Sequence, residues 1–212
     1  ILTMSKQKSA TFVVQTRSLV VLSLLMTTLP WPAASQHRTG EPVVHSTITD
    51  GIDYRVYDRD GKATTLSAIV DRAIGDEVLL VGEEHDDMVG HSFQTLLLLE
   101  VLKRIGSDLG SGRPVILSLE MFERDVQYVV DEYLAGLITE VHFLRSSRPW
   151  EDYANRYRPL VENAREFGVP VIAANAPRRY VNRVTNEGPA SLTMLSEQAR
   201  SYPPPLPYRG PS

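Results

Sequence analysis

Cysteine is absent from the 212 residues, which excludes disulfides, thiolate metal sites and acylation of a lipoprotein cysteine. A basic face is missing too. The formal charge is −4 and the acidic excess is spread along the chain, so nucleic acid is not an expected partner. No Gly-rich phosphate loop follows the first apolar run, because Gly82 and Gly90 stand too far apart, and no Gly-x-Ser-x-Gly elbow occurs. Nucleotide binding and serine hydrolase chemistry are therefore not expected. No apolar run reaches the roughly 20 residues that a spanning helix needs. What remains is an ordinary globular composition, 42% hydrophobic and 23% charged, long enough for one α/β domain with a real core.

The amino terminus reads as a targeting segment. Lys6, Lys8 and Arg17 precede an apolar core of 11 residues, Leu19 to Leu29; Pro30-Trp31-Pro32 breaks it, and Ala33-Ala34-Ser35 offers small residues for cleavage. Residues 1–35 are expected to be a signal peptide or, if uncleaved, a membrane anchor, so the protein is expected to be secreted or held in the cell envelope. Removing them leaves 19 basic against 26 acidic residues, a charge of −7. Residues 36–50 read as a linker, 51–202 as the folded domain and 203–212 as a Pro-rich tail. So few strands before that tail suggest an incomplete domain.

Within 51–202 the pattern alternates between strand and helix. Val78 to Val81, Pro114 to Leu119 and Pro170 to Ala174 are short apolar runs that fit strands covered on both faces. Tyr54 to Tyr57 and Ala63-Thr64 suggest a hairpin, and Thr65 or Ser67 can cap a helix running to Ile74. Helical patterns follow over Val89 to Ile105, Arg124 to Leu134, Thr139 to Leu144, Trp150 to Phe167, a short stretch from Tyr180, and Ala190 to Arg200. The expected fold is α/β: a parallel or mostly parallel sheet with helices on both faces, joined by right-handed crossovers.

Ligands of open α/β sheets bind outside the carboxyl ends of the strands. Glu83 and His85 follow the first run, Glu120 the second, Asn175 and Arg178 the third, so these five are expected to share one rim. Each alone has a plain structural role, capping a helix or pairing with a charge. His91, on a helix facing the sheet, is more simply a core histidine. Glu83, His85 and His91 together resemble a hard-metal or zinc site, although their spacing matches no helical His-Glu-x-x-His motif. Trp150, Tyr153 and Tyr157 fall at i, i+3 and i+7, either a core stripe or a flat apolar wall whose phenol can ligate ferric iron in haem. Arg145, Arg148, Arg178 and Arg179 can then hold propionates.

The block Gly82-Glu83-Glu84-His85-Asp86 with His91 and Gln94, then Leu119-Glu120-Met121-Phe122, Gln127, Trp150, Tyr157-Arg158-Pro159 and Ala174-Asn175-Ala176-Pro177-Arg178 resembles the ChaN-like haem-binding proteins. That family is similar in turn to the erythromycin-esterase and Tiki/TraB proteins. The resemblance implies an envelope-associated protein of haem and iron uptake, with tyrosine ligation and cofacial haems in a homodimer. On this reading Tyr157 is the expected iron ligand and Tyr153 the second choice, with Trp150, His85, His91, Asn175 and Arg178 around the cofactor. Membrane contact is expected only through an uncleaved amino-terminal segment. The alternative expectation is a hydrolase, metal-dependent or using Glu83, His85 and Glu120 as acid–base groups on an ester or amide. A third is a partner-binding module in which the strand-end cluster is structural.

Overall fold

The computed structural model describes residues 2–5, 9–12, 42–43, 47–107 and 114–205; the apolar stretch of the expected signal segment lies outside them. In chain order the elements are β1 (Leu2–Ser5), β2 (Ser9–Phe12), β3 (Val56–Tyr57), β4 (Ala63–Thr64), α1 (Leu66–Ala73), α2 (Met88–Ser107) and β5 (Leu117–Glu123). A 3₁₀ turn (Arg124–Val126) leads into α3 (Gln127–Leu134), followed by α4 (Glu140–Ser147), α5 (Tyr153–Arg156), α6 (Arg158–Glu166) and β6 (Val171–Asn175). Next come α7 (Arg178–Glu187), a second 3₁₀ turn (Pro189–Met194) and α8 (Glu197–Arg200). Two compact units result, Ile1–Pro114 with Ala154–Gly168, and Val115–Tyr153 with Val169–Ser212. No helix among the described residues is long and apolar enough to cross a membrane.

In the first unit β3 and β4 form the expected hairpin, and β2 lies parallel to β3 and antiparallel to β1. The Thr65 hydroxyl accepts from the Ala68 amide at 3.2 Å and so starts α1 where the sequence places it. Tyr54, Val56, Ile69, Val70, Phe93 and Leu97 make the core, with the Tyr54 and Phe93 rings edge to face at 5.1 Å. Each such side chain contributes about 1.5–3 kcal/mol by leaving water. Arg104 ties α2 to α1 through Asp71 and Ser67. The buried Asn163 side chain on α6 accepts from the Val43 amide at 3.0 Å and donates to the Val43 carbonyl at 2.8 Å. It thereby anchors part of the expected linker.

The Val78 to Val81 run departs from expectation. It belongs to no paired strand among the described residues. Leu79 and Val81 pack on the core of the first unit, while Val78 and Leu80 are 69% and 61% exposed. Four apolar residues in a row do not reveal whether one face or two will be covered, and here one is.

The second unit carries the parallel sheet. β5 and β6 pair in parallel, Leu117 opposite Val171 and Glu123 opposite Asn175, with a register shift between Leu119 and Glu123. β5 runs four residues past the expected end at Leu119, so Glu120 is an exposed mid-strand residue rather than a strand tip. On the edge of β6 turned away from β5, the Gln127 amide donates to the Val171 carbonyl at 2.8 Å and accepts from the Ala173 amide at 2.7 Å. Below the sheet Phe143 stacks on Tyr133 at 4.2 Å and meets Phe122 and Tyr153 edge on.

The long helix expected over Trp150 to Phe167 is two short ones. Asp152 takes a left-handed turn at φ 58, leaving Trp150 outside α5. Pro159 has no amide hydrogen and its ring crowds the carbonyl four residues back, so the helix restarts at Arg158. The i, i+3, i+7 stripe of Trp150, Tyr153 and Tyr157 therefore does not lie on one helix face.

Candidate functional site

Glu83 is the hub of the first unit. It leaves the extended Val78 to Val81 segment just before the His85-Asp86 turn, and the first turn of α2 faces it. The Tyr157 hydroxyl donates to Glu83 Oε1 at 2.6 Å, and Gln94 Nε2 donates to Oε2 at 2.8 Å. His85 Nδ1 also meets Oε1 at 2.8 Å. Burial is the largest single influence on this carboxyl and raises its pKa. The hydrogen bonds from Tyr157, Gln94 and His85, with His91 nearby, outweigh it and hold the group below its ordinary value. Glu83 is thus an ionised acceptor at neutral pH.

That charge sets the two imidazoles. An ionised carboxylate only accepts, so Nδ1 of His85 carries the hydrogen. The His85 side chain is 56% exposed. His91 is 2% exposed; its Nε2 faces the His85 carbonyl at 3.1 Å and so donates to it. Arg156 Nη1 donates to the same carbonyl at 2.7 Å, so two donors pin the turn that carries His85. His91 Nδ1 has no hydrogen bond and lies 3.8 Å from Glu83 Oε2, and the Tyr157 ring meets the His91 ring edge to face at 4.7 Å.

The sequence-predicted Glu83, His85, His91 and Tyr157 therefore form one group. Gln94 was visible only in the family pattern, and Arg156 was missed, since an arginine one residue before Tyr157 carries no sequence signal of its own. No three His, Asp or Glu side chains among the described residues are placed to hold a metal ion, so the expected zinc-like site is not formed. Nor does the group fit haem. Tyr157 as a residue is 3% exposed and its hydroxyl donates to Glu83, and residues 83–87 hold four carboxylates that repel propionates.

The other sequence-predicted residues belong to the second unit. Trp150 is half-buried, Tyr153 is 5% exposed, and Asn175 stands at the end of β6 opposite Glu123. The strand ends bear a network that sequence reasoning missed, because it joins Glu123 and Asp125 to distant arginines. Arg148 Nη2 donates to Glu123 at 3.0 Å and to Asp125 at 2.8 Å, and Arg179 Nη1 donates to the other Asp125 oxygen at 2.5 Å. Arg148 and Arg179, expected to hold propionates, are thus engaged with carboxylates. Arg145 and Arg178 are exposed and make no ion pair among the described residues.

Asp125 has a measurable consequence. Burial, the largest influence, raises its pKa, but the bonds from Arg179 and Arg148 outweigh burial and lower it. A depressed folded-state value contributes stability above the unfolded value of about 3.9, and that contribution is lost as pH falls through the folded value. The Asp125→Asn chain should be less stable at pH 7 and lose less on acidification from about pH 5 to about pH 3, as read by urea midpoints. Equal acid sensitivity of the two chains would contradict the network.

The model of the family described as haem-binding uptake, Tiki superfamily, ChaN matches residues 69–211. A solved structure of ChaN of Campylobacter jejuni, described as binding haem cofacially, matches with a TM-score of 0.54 at 15% identity. The match covers 66% of this chain and 56% of that one, so the chain spans about half the length of that protein, and the likeness shows a shared fold. No curated protein matches the chain. With two thirds of its length inside the family model, the chain belongs to the ChaN family of haem-binding uptake proteins in the Tiki superfamily.

Proposed function

We propose that this chain binds haem and serves haem or iron uptake outside the cytoplasm, in the cell envelope or as a secreted protein, with two copies pairing around the cofactor. The carrying observation is the outward face of α7. None of its ten residues is buried, its first turn has no acidic residue, and Arg178 stands exposed without a carboxylate. Arg178, Val181, Asn182 and Thr185 recur along that face at helical spacing, and Val181 is 47% exposed. Haem is a flat apolar ring with two carboxylates, so it calls for apolar surface beside cations. A cation in the first turn of a helix adds to the positive end of the dipole and favours an anion. Arg178 is the proposed propionate partner and Asn175 its neighbour at the end of β6. Bound haem would supply the iron that the uptake role delivers.

Titrating hemin into the purified chain should produce a Soret band. Arg178→Glu should weaken binding about tenfold or more, the loss of one charge-assisted hydrogen bond of about 1.5–3 kcal/mol. Tyr157→Phe should leave the band where it is. A chain that produces no Soret band refutes the haem reading, and a shifted band in Tyr157→Phe would return the ligand to Tyr157.

A further inference from the structure

We infer that Asp125 is a positioning residue that acts through Arg179 to set how α7 presents Arg178, a role that rests on the haem reading of that helix face. The first observation is how α7 is held. None of its residues is buried, so no enclosed side chain fixes how the helix is rolled about its axis. Among the described residues, two of its side chains bond to the rest of the second unit. Arg179 Nη1 donates to Asp125 Oδ2 at 2.5 Å, and Arg183 Nε donates to the Ser191 carbonyl at 3.2 Å. Arg179 and Arg183 are four residues apart and so share one stripe of the helix, the one turned toward the body of that unit.

The second observation is the post to which Arg179 is tied. Asp125 lies in the 3₁₀ turn at the end of β5, beside Val126, which is 2% exposed. Its other oxygen accepts from Arg148 Nη2 at 2.8 Å, and its side chain is 11% exposed against 48% for Arg179. The fixed partner is therefore the carboxylate and the movable one the guanidinium. The Arg179 guanidinium also lies 4.4 Å over the Tyr180 ring, which narrows its choice of rotamer.

Helix geometry carries the constraint to the neighbouring residue. Successive helical residues point about 100° apart. Pinning Arg179 toward Asp125 therefore turns Arg178 onto the outward face with Val181, Asn182 and Thr185. Without the pin the helix is free to roll, and Arg178 no longer stands in one place for a propionate. Asp125 itself never touches haem, since its two oxygens are taken up by Arg179 and Arg148.

The test reads hemin affinity from Soret titrations of the full chain, at a temperature where every variant is folded. Asp125→Asn should raise Kd about fivefold, the fold-change for losing an ion pair of a half-exposed arginine. The same substitution in an Arg178→Ala background should add nothing, because a positioning residue has no effect once the residue it positions is gone. Arg179→Gln should match Asp125→Asn, and Arg179→Lys, which keeps a donor toward Asp125, should stay near wild type. Hydrogen exchange of the α7 amides in the hemin-free chain should quicken in Asp125→Asn. An unchanged Kd in Asp125→Asn, or an equal loss in the Arg178→Ala background, would overturn the positioning role. Arg179→Lys binding as weakly as Arg179→Gln would overturn the route through Arg179. A wild-type chain without a Soret band refutes the haem reading and this role with it, whereas unchanged exchange beside intact haem binding removes the hold of Asp125 on α7 alone.

Discussion

Glu83→Ala is expected to lower the unfolding free energy by about 2–4 kcal/mol, because the substitution strands several polar partners at once. Tyr157 and Gln94 would lose their acceptor, and His85 Nδ1 would lose the oxygen that fixes its tautomer. The Tyr157 hydroxyl is the costliest of these, since its residue is 3% exposed and water does not readily replace the carboxylate. Removing both members of the closest bond should cost less than the sum of its parts. Tyr157→Phe in the Glu83→Ala background relieves the stranded hydroxyl, and a double-mutant cycle in urea measures the difference. A Glu83→Ala midpoint indistinguishable from wild type would show that Glu83 does not organise the group.

Phe143→Ala should cost about 3–5 kcal/mol, the range for deleting a buried aromatic ring. Phe143 is fully buried, lies nearly parallel to Tyr133 with an interplanar angle of 9°, and touches two further rings edge on. Such pairs add about 0.5–1.5 kcal/mol beyond area burial. Thermal melting and urea unfolding read the loss. Phe143→Leu keeps most of the volume and should lose clearly less. Equal losses in the two variants would mean that ring geometry and cavity size are not what Phe143 contributes.

Local signals in the sequence were strong where chemistry is local. Thr65 caps α1 through its own hydroxyl, the Val56 to Thr64 hairpin closes as written, and Val171 to Asn175 forms the strand that its apolar run suggests. Glu83, His85, His91 and Tyr157 do meet, although the stripe that drew attention to Tyr157 is broken by Asp152 and Pro159. The misreadings share a cause. Val78 to Val81 and Pro114 to Leu119 are apolar runs whose pairing depends on distant chain, and composition does not say which side of a run is covered. Glu120 seemed a strand tip only because the register shift that extends β5 to Glu123 leaves no mark in the sequence. The ion network of Glu123, Asp125, Arg148 and Arg179 joins residues as many as 54 positions apart, beyond any spacing rule.

Gln127 has a bearing on how this protein keeps its own company. An open sheet border invites another chain to continue the ladder, and such templating is a route to aggregation. By presenting one donor and one acceptor in the places a neighbouring backbone would use, a single amide closes β6 at Val171 and Ala173. Copies meeting side by side at high concentration find that rung already taken, by a side chain rather than by repulsion.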